Sequence, residues 1–144
     1  MLVTISWLKK NYNKYNELYF GGVLPDISFK ISHSRKTWGY ASYNYNRLSN
    51  KITPVSITLS NYYDSPEEVK LTTLLHEMIH IYDYATNPQH FICGGRRVRY
   101  DAHGWWFKKE CRRLKEFGWD IEKYVTEEEK ACSELSADAK RLQK

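Results

Sequence analysis

No uninterrupted apolar run in the 144 residues approaches the roughly 20 that a membrane-spanning helix requires. A helical membrane protein is not expected, and no membrane partner is expected either. Residues 1–10 also lack the apolar stretch and small-residue cleavage site of a secretory leader. Cysteine is scarce: Cys93, Cys111 and Cys132 are odd in number, lie far apart, and form no Cys-x-x-Cys pair. That pattern supports neither a disulfide framework nor a cysteine-based zinc ribbon, and it fits the reducing cytoplasm, where the chain is expected to reside. Internal repeats and low-complexity segments are missing as well. Charge of neither sign dominates, since 22 Lys and Arg face 17 Asp and Glu, giving a net charge of +5 and a pI near 9.0. Such a balance favours polyanions without a histone-like excess, so nucleic acid is a candidate partner.

What the chain does have is material for a core. Hydrophobic residues make up 42% and aromatic residues 15%, with 12 Tyr and 5 Trp, which argues against disorder. The length suits one compact domain that folds alone, expected to act as a monomer. Across residues 4–20, Leu8, Tyr12, Tyr15 and the pair Leu18/Tyr19 recur at helical spacing until Gly21-Gly22 stops them. Ile27, Phe29 and Ile31 then alternate with polar residues, as in a half-buried strand. Residues 37–45 and 54–60, the latter with Val55, Ile57 and Leu59 alternating, add two strands, so a small, mostly antiparallel three-stranded sheet is expected.

Ser65-Pro66-Glu67-Glu68 is the clearest helix start, with Ser65 as cap, Pro66 in the first helical position and Glu68 closing a capping box. The helix should run to about Thr86, where Asn87-Pro88 ends it. A third helix should follow His103-Gly104, with Trp106, Phe107, Cys111, Leu114 and Phe117 inward, and a fourth should begin near Thr126. The fold class is therefore α+β: a compact domain built on a central helix, with helices at both ends of the chain.

That central helix carries His76-Glu77-Met78-Ile79-His80. Residues four apart on a helix share one face, so both imidazoles can reach a single zinc ion, and Glu77 stands beside them as a general base toward water. The reading requires a third ligand. Asp83 and Thr86 occupy the positions where the short form of this motif places its glycine and third histidine, so the ligand must come from elsewhere. The candidates are His103, His90, Asp83 and Asp101, and His103 ranks first because it opens the next helix beside Gly104. His90 reads as exposed in a polar loop, Asp83 as a second carboxylate supporting a ligand imidazole or a plain surface charge, and His33 as structural or solvent-facing.

The chain resembles the SprT-like zinc metallopeptidases, the family of the Spartan proteases. The matching pieces run in order: Tyr15-Asn16-Glu17-Leu18-Tyr19-Phe20-Gly21-Gly22 with Leu24-Pro25, then Trp38-Gly39, then Ile57-Thr58-Leu59-Ser60. Leu74-Leu75-His76-Glu77-Met78-Ile79-His80 and His103-Gly104-Trp105-Trp106-Phe107 complete them. The resemblance implies a compact, zincin-like α+β fold, one zinc ion per chain held by His76, His80 and His103, Glu77 as general base, and a sheet edge that aligns an extended protein substrate. It also implies substrates that are bound or crosslinked to DNA, as in crosslink repair, with single-stranded or damaged DNA as a partner. The chain departs from many relatives in lacking a cysteine zinc ribbon and in the 22 residues between His80 and His103. Residues 1–122 are expected to form the metallopeptidase domain and 123–144 a helical extension of it.

With no ribbon, DNA contact would fall to the basic cluster between residues 94 and 115, where eight basic residues face two acidic ones. Arg96, Arg97, Arg99, Lys108, Lys109, Arg112 and Arg113 are its candidate phosphate contacts, with Tyr100, Trp105 or Trp106 available to stack on bases. Two other functional readings use the same residues. One is a DNA-binding module that is not an enzyme and whose zinc is structural; the other is a zinc peptidase with no role on DNA.

Overall fold

The computed structural model describes residues 1–122, so the helix expected near Thr126 and the extension it belongs to lie outside the described residues. Helix α1 spans Ile5–Tyr19; the Thr4 hydroxyl caps it by accepting from the Trp7 N–H at 3.1 Å. It ends as expected: Gly21 and Gly22 take φ of 62° and 72°, and the Gly22 N–H reaches back to the Asn16 carbonyl. Leu8, Tyr12 and Tyr15 face inward, whereas Leu18, at the flank of that face in the last turn, is 58% exposed.

Strands β1 (Ser28–Ser32), β2 (Gly39–Asn46) and β3 (Lys51–Ser60) form one sheet in the order β1-β3-β2. The pair β2–β3 is an antiparallel hairpin, but β1 runs parallel to β3, so the sheet is mixed rather than mostly antiparallel. The reason is connectivity. The chain leaves β1 at one edge, crosses to the far edge to make β2, and returns through the middle as β3. The register shifts beside Ser42/Tyr43, leaving Val55 unpaired and 39% exposed while Ile57 and Leu59 stay fully buried. Strand β2 keeps a free outer edge in this sheet.

Helix α2 covers Glu67–Thr86 and lies across β2 and β3. Pro66, not Ser65, occupies the cap position and no side chain caps the helix, so the expected capping box does not form; Glu67 and Glu68 in the first turn face the positive end of the helix dipole instead. Leu74, Leu75, Met78, Ile79 and Ile81 are fully buried, which makes α2 the centre of the core. The following stretch is structured: a 3-10 turn at Pro88–His90 leads into a hairpin of β4 (Ile92–Cys93) and β5 (Arg96–Arg97). Helix α3, Trp105–Lys115, buries Trp106, Phe107, Cys111 and Leu114. Phe117 falls beyond its end and is 57% exposed, contrary to its expected inward position; its ring rests on Tyr19. Among the described residues no helix is long and apolar enough to cross a membrane.

Candidate metal centre

Helical geometry brings His76 and His80 together, and the turn before α3 adds the third imidazole. Asp101 shapes that turn: its Oδ1 accepts from the His103 N–H at 3.1 Å and its carbonyl accepts from the Gly104 N–H. A Cβ on residue 104 would sit 3.1 Å from that carbonyl oxygen, so the tight turn favours glycine. Asp101 therefore places His103 and is not itself part of the cluster.

The three Nε2 atoms stand 3.2 Å from one another in every pairing. A neutral imidazole nitrogen is either a donor or an acceptor, so three of them in a triangle leave at least one like pair in opposition. A cation at which all three lone pairs converge removes that conflict. Among the described residues, His76, His80 and His103 form the group able to hold a metal ion. Burial, and then the neighbouring histidines, push the His76 pKa well below its ordinary value and that of His80 down to about 3, which keeps both rings neutral with a lone pair to offer.

Phe107 lies under all three rings. Its centroid is 4.9 Å from that of His76, 5.0 Å from His80, with the rings nearly parallel, and 5.0 Å from His103. At 2% exposure it is core, as its place in α3 suggests, and it is also the floor on which the ligands rest. That second role is not apparent from periodicity.

Glu77 is 5% exposed, and its Oε1 lies 3.7 Å from the His76 Nε2. It lines a cleft of about 320 Å³ together with the three histidines, Tyr84 and Gly39, Tyr40 and Ala41 of β2. Strand and helix approach closely here: a Cβ on Gly39 would lie 3.1 Å from both the Thr73 side chain and the Thr58 carbonyl oxygen. The carboxylate, the imidazoles and the free sheet edge thus open into one groove.

The other candidate ligands serve the scaffold. Asp83, 1% exposed, holds the His90 Nδ1 at 2.8 Å and the Asn87 amide at 3.0 Å, so it supports a loop histidine and not a ligand. His90, expected in solvent, is largely enclosed, and its ring stacks on Tyr100 at 4.9 Å. Burial, then Asp83, raise the Tyr100 pKa. These contacts tie both ends of the 88–102 segment to α2 just before His103. His33 is exposed beyond the end of β1.

The basic cluster divides three ways. Arg113 points inward: its Nε bonds Glu110 at 2.6 Å, its Nη1 donates to the Tyr19 carbonyl at 2.7 Å, and its guanidinium covers the Phe20 ring. It bolts α3 to α1 and is not a surface contact. Lys108, Lys109 and Arg112 are exposed on one face of α3 with Trp105, which is 68% exposed, whereas Trp106 is buried against Tyr82 and cannot stack on a base. Arg96, Arg97 and Arg99 are exposed on and just after the β4–β5 hairpin. No curated protein matches the chain. The SprT-like family model matches it over residues 8–128.

Proposed function

Because the chain belongs to the SprT-like family, we propose that it is a zinc-dependent endopeptidase in which His76, His80 and His103 hold the metal and Glu77 is the general base. The observation that carries this reading is the triangle of Nε2 atoms at 3.2 Å beside a buried carboxylate in an open groove. Nitrogens at 2.0–2.1 Å from a tetrahedral zinc lie about 3.3 Å apart, and a three-histidine set leaves the fourth position for water and substrate. Imidazole donors of this kind suit zinc, and zinc, when bound, supplies Lewis acidity toward the scissile carbonyl and lowers the pKa of a water to about 7.

The chain's own groups do the rest. The free edge of β2 pairs with an extended polypeptide and sets its scissile bond over the histidines. Glu77, largely shielded from solvent, takes the proton of the attacking water and returns it to the departing amine. Phe107 fixes the planes of the imidazoles, so that no ring has to reorient as substrate enters.

Proteins bound or crosslinked to DNA are the substrate class we favour, with DNA held by α3. Trp105, Lys108, Lys109 and Arg112 stand at i, i+3, i+4 and i+7, all exposed on one face, which pairs a stacking ring with three phosphate contacts.

Zinc content and hydrolysis of denatured casein test the chemistry together. Wild type should carry about one zinc per chain, and His103→Ala should lose most of it. Glu77→Gln should keep the zinc and lose about 10²- to 10⁴-fold in turnover. Equal turnover by Glu77→Gln and wild type would remove Glu77 from the mechanism, and a wild type that holds no zinc when supplied with it would end the peptidase reading.

A further inference from the structure

Two residues further along β2 than Ala41, the groove opens into a second cavity of about 480 Å³ that shares Tyr84 and Ala102 with the catalytic cleft. Its inner wall is aromatic. Tyr43 of β2 packs on Tyr84 at 4.8 Å and on Phe91 at 5.4 Å, and Tyr84 packs on Phe91 at 5.3 Å. Arg97 and Arg99 border it, both exposed, and no carboxylate lines it. The Arg97 guanidinium lies over the Tyr43 ring, 5.3 Å from its centroid, and neither arginine forms an ion pair among the described residues.

We propose that this cavity is a specificity subsite of the peptidase that takes an acidic side chain, Asp or Glu, about two residues from the scissile bond. The proposal rests on the peptidase reading above. In an extended chain laid along β2, alternate side chains point the same way, so a peptide whose backbone spans the histidines directs one into the cavity. The aromatic wall receives the methylene stem, and two unpaired guanidiniums supply forked donors for the carboxylate.

The alternative occupant, an unpaired base, finds no open ring here. Phe91 and Tyr84 are buried, Arg97 covers Tyr43, and His90 stacks on Tyr100. An exposed ring is available instead on α3, at Trp105.

The experiment starts from cleavage sites mapped by mass spectrometry in an unfolded protein substrate. Unstructured peptides around one such site then carry Glu at successive positions, each paired with a Gln control. For zinc-loaded protein, kcat/KM and the anisotropy of the same labelled peptides are both recorded. One position should favour Glu over Gln by about tenfold in both readouts. The double variant Arg97→Ser/Arg99→Ser should bring the ratio to about one, and Arg97→Lys/Arg99→Lys, which keeps the charge and loses the fork, should retain only part of it. Cleavage without a Glu preference, or a preference that survives the serine double variant, overturns the subsite and leaves the peptidase reading standing. If no unfolded substrate is cut, anisotropy is recorded with an arbitrary unstructured peptide carrying Glu or Gln at successive positions, and an arginine-dependent Glu preference there keeps the acidic pocket and removes the peptidase reading instead.

Discussion

Each ligand imidazole is held in place by something other than a metal, and the common support is Phe107. His80 lies flat on it, and His76 and His103 meet it at steeper angles, so one ring limits the rotation of all three. Removing it should leave a cavity beneath a set of neutral rings. Phe107→Ala is expected to cost about 3–5 kcal/mol of stability in the metal-free protein, and to weaken metal binding about 10- to 100-fold. Phe107→Leu should recover most of both. Thermal unfolding with chelator present, and zinc competition against a chromogenic chelator, separate the two effects; a folded alanine variant with wild-type zinc affinity would show that the ligands need no floor. At this scale the sequence is informative where chemistry is local. The pair His76 and His80 with Glu77 is readable from spacing, and His103 stands out among its rivals by opening a helix. Asp83, His90 and Arg113 were not readable in the same way, because their roles depend on partners that folding supplies. Arg113, for example, finds the Tyr19 carbonyl 94 residues away.

Between elements, the contact that shapes the groove is that of β2 with α2. Gly39 lets the edge strand start directly against Thr73 of the helix, and any side chain there would have to displace either that residue or the backbone of β3. Gly39→Ala is therefore expected to destabilise the fold by about 1–3 kcal/mol. The measurement is the midpoint of urea unfolding with the slope checked for constancy; an unchanged midpoint would mean that the strand yields freely. The helices were legible because period and stop signals are short-range: Gly21-Gly22 and Asn87-Pro88 end α1 and α2 where expected. The parallel pairing of β1 with β3 was not, since alternation identifies a strand's two faces and says nothing of its neighbours. The small hairpin at residues 92–97 did carry a signal. Gly94 and Gly95 both take positive φ, 59° and 73°, as a two-residue turn of glycines favours.

Across the whole molecule, the excess of positive charge is not spread evenly. One arginine of the basic cluster is consumed in joining α3 to α1, two border the cavity beside the three-histidine cleft, and three cations stand with Trp105 on the outer face of α3. In the sequence Arg113 stays with the other cations of α3, and Trp105 and Trp106 are both open as stacking rings, because which of them turns inward depends on Tyr19 and Tyr82; the separation of Arg97 and Arg99 from α3 depends on a hairpin that folds back over Tyr43. If α3 is the nucleic-acid surface, its contribution should appear as counterion release and not as a change in the site. Each phosphate contact on a single strand contributes about 0.7 to the slope of log affinity against log salt. Replacing Lys108, Lys109 and Arg112 together with Ser should therefore reduce that slope by about two. Trp105→Ala should weaken binding at every salt concentration by about 1–3 kcal/mol while leaving the slope nearly unchanged. Anisotropy titrations of a fluorescent oligonucleotide over a range of salt read both quantities. A slope untouched by the triple replacement would move the DNA contact off α3, and a tryptophan variant that binds like wild type would show that the exposed ring stacks on nothing.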